Sequence, residues 1–261
     1  MGLSHFVDIK NSKLMPNLRF AILDYPKLLM DNKVAQSLLS DVLTARQIGY
    51  EKASDLYISN DKLDMIGTHI VVFEVSNMYI PKVIAGLRLS YSDRCEKHSL
   101  DLPMNVNIQY TSQTTQNLYK KFKINNKCVV ESNALFIDSN YSFSKTKIDL
   151  SQFMMTCVVA YILRRGHTNF ITATNERFKT SRWVDFGSYP DGHHFIHPNM
   201  PDTHKVILVD DFYKDVLFQR FTDLDSMLSK SFEMIPSSIS LKSIADITSE
   251  MLLVSKNTKA A

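Results

Sequence analysis

Apolar residues recur along this chain in two rhythms, one near 3.6 residues and one of two, and their order lays out most of the secondary structure. After an apolar stretch at Leu18–Leu23, residues Val34, Ala35, Leu38, Leu39, Val42 and Leu43 fall on one face at helical spacing. The same stripe, continued by one and two turns, reaches Arg46 and Tyr50. Two runs rich in β-branched residues follow, Thr68–Val75 and residues 82–89, with Asn77 and Pro81 between them; they predict an antiparallel hairpin. Residues 90–126 are polar and weakly periodic, and are expected to form an irregular insertion with at most one short helix.

Beyond the insertion the pattern predicts a strand over 127–137 and a buried helix over 153–163, closed by Arg164, Arg165 and Gly166. A short strand at 169–173 comes next, so strand, helix and strand stand in the order of a crossover unit whose two strands lie parallel. A helical stretch near 176–184, a late strand at 205–209, a helix over 212–232 and a serine-rich amphipathic segment at 236–254 complete the reading, the last two forming a C-terminal helical extension near 212–254. The fold class is α/β (α+β), with helices flanking a mixed sheet.

The 261 residues, 44% hydrophobic and 22% charged, suffice for a substantial core. With 7 glycines, 8 prolines, no fixed-period repeat and no low-complexity linker, residues 1–261 are expected to form a single domain. The 30 basic and 27 acidic residues are interspersed, so the net charge of +3 gives no footprint for nucleic acid. Cys95, Cys128 and Cys157 are odd in number and far apart, which fits reduced thiols in a cytoplasmic protein. Neither a secretory leader nor a membrane-spanning run is expected, and hence no integral membrane contact.

Candidate chemistry comes from charges placed where the pattern calls for apolar residues. Arg46 lies on the apolar stripe of the first helix, where a guanidinium must be paired or line a wet cleft. Asp61 and Asp64, ahead of the first hairpin strand, could reach such a cation or grip a substrate ammonium. On the second strand, alternation sets Arg88 on one face with Ile84 and Gly86, and Val83, Ala85, Leu87 and Leu89 on the other. Glu131 interrupts an otherwise apolar strand, which is costly unless the carboxyl is hydrogen-bonded or functional. Singly, each has a structural reading: a salt-bridged or snorkelling arginine, a capping aspartate, a satisfied glutamate.

Taken in order, Arg46-Gln-Ile-Gly-Tyr50, Asp61-Lys-Leu-Asp64, Ala85-Gly-Leu-Arg88-Leu89 and Val130-Glu131-Ser132 resemble the successive motifs of the acyl-homoserine-lactone synthases and the related long-chain N-acyl amino acid synthases. Arg182, Trp183 and Gly187 extend the resemblance over roughly residues 40–190. The chain departs from the pattern at Ala134, where the family carries an arginine three residues after its strand glutamate, and at Tyr57, which stands nearest to the family's tryptophan.

The resemblance implies a GNAT-like fold, with a mostly antiparallel sheet and a splayed parallel strand pair that admits a pantetheine arm. It implies transfer of an acyl chain from a thioester to the amine of a small amino-acid-like substrate, S-adenosylmethionine among the candidates, in making products such as quorum-sensing signals, with no bound cofactor. Glu131 would be the base; Arg46, Asp61, Asp64 and Arg88 would organise the amine end, and Tyr50, Tyr57 and Trp183 would pack against the substrate.

The stretch 139–147, where coenzyme-A-dependent relatives carry a glycine-rich diphosphate loop, holds no glycine. An acyl carrier protein is therefore the expected donor, ahead of coenzyme A, with Arg164, Arg165, Lys145 and Lys147 as candidates for meeting its acidic face. A competing cluster, His193, His194, His197 and His204, with Asp210 and Asp211 nearby, would serve a metal-assisted hydrolase; Pro198 and Pro201 break the helical spacing of zinc motifs, so a solvated loop without metal is expected there. A catalytically inactive module binding a lipid or a partner on the same fold is the third reading. No phosphate loop, nucleophile elbow or dinucleotide glycine fingerprint is present.

Overall fold

A computed structural model describes residues 18–24, 33–54, 61–75, 81–146, 150–175, 187–188, 193–196, 203–209 and 211–212. Strand β1 (Leu18–Leu23) leads to the long helix α1 (Lys33–Ser54), whose buried Leu38, Leu39, Val42 and Leu43 are the stripe seen in the sequence. One turn, α2 (Leu63–Ile66), precedes β2 (Thr68–Val75) and β3 (Pro81–Tyr91), which pair as the expected antiparallel hairpin.

Residues 90–126 depart from expectation. They fold into α3 (Ser92–Lys97), α4 (Pro103–Asn107), a 3-10 turn at Ile108–Tyr110 and α5 (Gln113–Asn125), in place of an irregular connection. Each helix buries only one to three side chains, among them Cys95, Met104, Thr115, Tyr119 and Phe122, too few to register as a period. Local capping marks α5 instead: the Ser112 hydroxyl accepts the Thr115 N–H at 3.3 Å.

Next come β4 (Val130–Ile137), a 3-10 turn at Ser139–Tyr141, α6 (Phe143–Thr146), α7 (Leu150–Arg164) and β5 (Phe170–Asn175). The short strands β6 (Gly187–Ser188), β7 (His193–Ile196), β8 (Thr203–Val209) and β9 (Asp211–Phe212) follow. The sheet order is β1-β2-β3-β4-β5-β8-β7, with β6 and β9 paired separately. Only β4 and β5 run parallel, as the crossover predicts, and they pair at just two positions, Glu131 with Ile171 and Ser132 with Thr172, before parting. Residues 176–184 and 213–254, for which helices are expected, lie outside the described residues.

Two register slips shape the central strands. Between β2 and β3, Val72 faces Ala85 while Phe73 faces Val83, leaving Ile84 as an extra residue. One extra residue reverses the alternation, so Ile84 joins Ala85, Leu87 and Leu89 on the α7 face and Val83 crosses to the α1 face. The strict alternation that grouped Ile84 with Arg88 is thereby corrected. Between β3 and β4, Gly86 faces Phe136 but Arg88 faces Asn133, so Ala134 and Leu135 stand opposite Leu87 alone. Ala134 turns this second bulge with φ 57°.

Helix α7 covers one face of the sheet with Met154, Val158 and Ile162 against Ile84, Leu89, Phe170 and Ile207. On the other face α1 packs on Val71, Phe73, Val83 and Phe136, and α2 to α5 pack on Ile171, Phe195, Val206 and Leu208. Each large side chain so buried contributes about 1.5–3 kcal/mol of transfer free energy. The two apolar halves of that face meet along a polar seam.

Candidate active site

The seam follows from strand register. His69 faces Arg88, Arg88 faces Asn133, and Ser90 faces Glu131, so β2, β3 and β4 deliver four polar side chains and one arginine to the same side. Helix α1 adds Arg46 from the end of its apolar stripe, and the turn before α2 adds Asp61 and Asp64.

Arg46 and Asp64 form a fork-to-fork pair, with Nη1 to Oδ1 and Nη2 to Oδ2 both at 2.7 Å. Asp64 Oδ1 also accepts Arg88 Nη1 at 2.7 Å, and Oδ2 accepts the Asp61 N–H at 3.0 Å. Every favourable site on this carboxylate is filled by protein donors, so Asp64 organises the seam and has no capacity left to grip an ammonium. Asp61 pairs with Arg88, through Nη1 at 2.6 Å and Nη2 at 3.2 Å, while its side chain is 49% exposed. The aspartate open to a substrate is thus Asp61, and the partner of Arg46 is Asp64.

The electrostatics agree with this division. Burial alone would raise the Asp64 carboxyl, but the Arg46 hydrogen bonds and the Arg88 charge outweigh it and hold the group at about 2. His69, buried, is pushed down to about 4 by loss of hydration; it stays neutral at pH 7 and donates from Nε2 to the Asp64 carbonyl at 2.8 Å. Gly67 is required by close approach: a Cβ there would stand 2.8 Å from Arg88 Cγ and 2.9 Å from the Leu63 carbonyl oxygen.

Glu131 is buried at the start of β4, with Oε2 accepting the Met104 N–H at 2.9 Å. Burial pushes its carboxyl up to about 8, against the lowering influence of the Met104 N–H, the Arg88 charge and the Asn133 side chain. Asn133, two residues on along the same strand face, accepts from Arg88 Nε at 2.8 Å and donates to Ser90 Oγ at 3.3 Å. It thus lies between the guanidinium network and the glutamate. Period-two alternation from Glu131 points to Asn133; nothing local in the sequence marks His69, Ser90 or the Met104 amide.

Where β4 and β5 part, Thr172 Oγ1 still reaches the Ser132 carbonyl at 2.8 Å. Two residues further along β5, Thr174 Oγ1 is buried without a hydrogen-bond partner, because β4 has bulged away at Ala134. Tyr50 lies beside the bulge, its hydroxyl 3.4 Å from the Leu135 carbonyl oxygen and, through burial, pushed up to about 12.

The remaining sequence candidates are dispersed. Tyr57, Lys147, Trp183, His197 and Asp210 lie outside the described residues. Lys145 sits on α6 just before α7, whereas Arg164 ends α7 and Arg165 follows it; a 15-residue helix separates them by about 22 Å. Arg165 is also engaged by Asp24 at 3.1 Å. These basic candidates therefore lie towards the two ends of α7. Of the histidine segment's described residues, His193 and His194 belong to β7, His204 to β8 and Asp211 to β9, where a solvated loop was expected.

The fold is similar to that of solved acyl-homoserine lactone and N-acyl amino acid synthases. Among solved structures, the coenzyme-A-dependent acyl-homoserine lactone synthase BjaI with MTA aligns at TM-score 0.52 and 12% identity, covering 90% of this chain and 99% of that one. The same enzyme with SAM and isopentyl-CoA aligns at TM-score 0.52 and 11% identity over equal shares. FeeM, an N-acyl amino acid synthase from uncultured soil microbes, aligns at TM-score 0.50 and 11% identity, covering 74% of this chain and 92% of its own. No family model and no curated protein sequence matches the chain.

Proposed function

We propose that this chain is an N-acyltransferase that moves an acyl group from a thioester on an acyl carrier protein to the amine of a small amino-acid-like substrate. The observation that carries the proposal is Glu131: a buried carboxyl, raised to about 8, at the point where the parallel strands begin to part. Once ionised, a buried group of that basicity accepts a proton from an ammonium better than an ordinary carboxylate does.

In this reading the amine docks against the half-exposed Asp61 and loses one proton to Glu131, directly or through a water. Its nitrogen attacks the thioester carbonyl; the carbon–sulfur bond then breaks, and the departing thiolate takes up a proton. The arm of the donor lies in the gap between β4 and β5, where the unpartnered Thr174 hydroxyl offers a hydrogen bond to one of its amides. Backbone N–H groups freed by the bulge at Ala134 would stabilise the oxyanion in this reading. No resident cofactor is needed, since the thioester is a co-substrate.

A carrier-borne donor is supported by the turn after β4. The N–H groups of Asp138, Asn140 and Tyr141 are engaged, by the Ile84 carbonyl, the Asp138 carboxylate and the Asp138 carbonyl, so a diphosphate would have to displace these bonds and meet the Asp138 carboxylate. The test is mass spectrometry of organic extracts from cells expressing the protein, against a Glu131→Gln control, followed by assays in vitro with acyl carrier protein thioesters and a panel of amines that includes S-adenosylmethionine. A new N-acyl product that the variant lowers by about a hundred- to ten-thousandfold is expected. A well-folded Glu131→Gln protein with undiminished turnover would remove the glutamate from the mechanism.

A further inference from the structure

Between Asp101 and Glu131 the chain carries no acidic residue, yet it carries Lys120, Lys121, Lys123 and Lys127. Those four charges exceed the net charge of +3 for the whole protein, so the rest of the chain is close to neutral. The structure sets Lys120, Lys121 and Lys123 on one helix, with Lys127 two residues beyond its end. Helix α5 buries Thr115, Tyr119 and Phe122 against the sheet, which turns Lys120, Lys121 and Ile124 outward. Ile124 lies at the pole of the outer face and is 83% exposed, the most exposed large apolar residue described. Among the described residues neither Lys120, Lys121 nor Lys127 enters an ion pair. Lys123 differs, since its ammonium bonds Asn105 Oδ1 at 3.1 Å and helps tie α5 to α4.

The same segment holds two further exposed apolar residues, Val106 on α4 at 52% and Tyr110 in the 3-10 turn at 43%. Aliphatic and tyrosine side chains among unopposed lysines are the composition that settles into the headgroup layer of a negatively charged bilayer. An apolar tip at the pole of a convex helix suits insertion between headgroups. No helix among the described residues is long and apolar enough to cross a membrane, so contact through this face would be peripheral.

We propose that the outer face of α5, with Lys120, Lys121 and Ile124 and with Lys127 just beyond its end, docks on anionic lipid surfaces. Its position gives the contact a use. Helix α4, tied to α5 by Asn105 through Lys123 and through the Tyr119 hydroxyl at 2.8 Å, also carries the Met104 N–H that holds Glu131. The bilayer would lie against the elements that cover the seam. The docking itself does not depend on which reaction occurs there.

The test is co-sedimentation of the full-length protein with vesicles of pure phosphatidylcholine or with one-third phosphatidylglycerol, at low and high salt. Binding to the anionic vesicles alone, weakened by salt, is expected. Each lysine at such a surface is worth about fivefold in partition, so Lys120→Glu with Lys121→Glu should weaken binding at least twentyfold, roughly. A control of equal charge change elsewhere, Lys52→Glu with Lys145→Glu, should weaken it far less. Ile124→Ser should reduce binding without altering its salt dependence, and unchanged thermal midpoints would establish that the variants fold. Equal retention by both vesicle types, or indifference to the α5 charge reversal, would overturn the proposal. So would failure to bind any vesicle combined with charge-dependent capture of a purified acyl carrier protein by this face, which would reassign it to a protein partner.

Discussion

Asp64, wholly buried, receives both terminal nitrogens of Arg46 at 2.7 Å, one on each carboxylate oxygen. Arg88 shares Oδ1 and pairs with Asp61 as well, so two carboxylates balance two buried guanidinium groups, with Asp64 bridging both. Removing one partner from such a set leaves a desolvated charge, which typically costs about 3–5 kcal/mol. Asp64→Asn should therefore destabilise strongly in denaturant unfolding. The double replacement Arg46→Met with Asp64→Asn should cost less than the sum of the single changes. Additive losses would mean that the pair is not energetically coupled.

Stability should also carry the mark of Glu131. Its folded-state carboxyl is raised to about 8 from 4.5, so as pH rises above 4.5 the unfolded chain gives up a proton that the native state still holds. Stability then falls with rising pH until about 8, where the native group ionises too and the loss levels off. Asp64 acts in the opposite sense and at lower pH: its stabilisation is present above 3.8 and lost as pH falls towards 2. Glu131→Gln should flatten the limb between 4.5 and 8 and leave the acid limb in place; unfolding midpoints measured across this range would show it.

These linked charges also show how far the sequence can be read. Strand β2 falls where β-branched alternation places it, and α1 follows its stripe as far as Arg46, since those elements bury long periodic faces. The insertion at 90–126 escaped because its helices are too short to accumulate a period, although Ser112 marks one start. Ile84 went to the wrong face because a bulge shifts alternation, and the nearby Pro81 and Gly86 do not mark which residue is the extra one. At the site, charged residues in apolar positions identified Arg46, Arg88 and Glu131 as a set. Which aspartate meets which arginine depends on hydrogen-bond geometry across β2 and β3, and the carboxylates of Asp61 and Asp64 look equivalent in one dimension.

Gly67 tests the space behind the arginine network. A methyl group added there would meet the stem of Arg88 at 2.8 and 3.0 Å and a backbone carbonyl at 2.9 Å. The backbone offers no escape, so Arg88 must withdraw from Asp61 and Asn133. Gly67→Ala should cost about 1–3 kcal/mol, as overpacked cores do, and should raise KM for the amine more than for the thioester. An unchanged amine KM in a destabilised variant would separate the network from amine binding.

If Glu131 is the base, its ionisation should appear in the rate. The dependence of kcat/KM on pH should rise to a plateau through an apparent value near 8. Asn133→Ala removes a group that lowers the carboxyl's affinity for protons, so the limb should move to higher pH. An Asn133→Ala enzyme with the parental limb would show that this limb reports another group.

The donor itself can be probed at Asp138. Its carboxylate accepts the Asn140 N–H at 2.8 Å and pairs with Lys82 at 3.3 Å, which places negative charge and an occupied amide where a diphosphate would otherwise sit. A carrier protein brings its pantetheine without a free nucleotide diphosphate, so if the donor is carrier-borne, Asp138 should cost it little while disfavouring coenzyme A. Asp138→Asn keeps the hydrogen-bonding shape, removes the charge and leaves Lys82 available to an anion. That variant should raise kcat/KM for an acyl-coenzyme A several-fold, consistent with about 1 kcal/mol for an exposed charge contact. It should leave the value for the same chain on an acyl carrier protein nearly unchanged, and high salt should narrow the difference. If the parent protein already favours the coenzyme A thioester, and Asp138→Asn alters neither donor, the diphosphate must bind away from this turn.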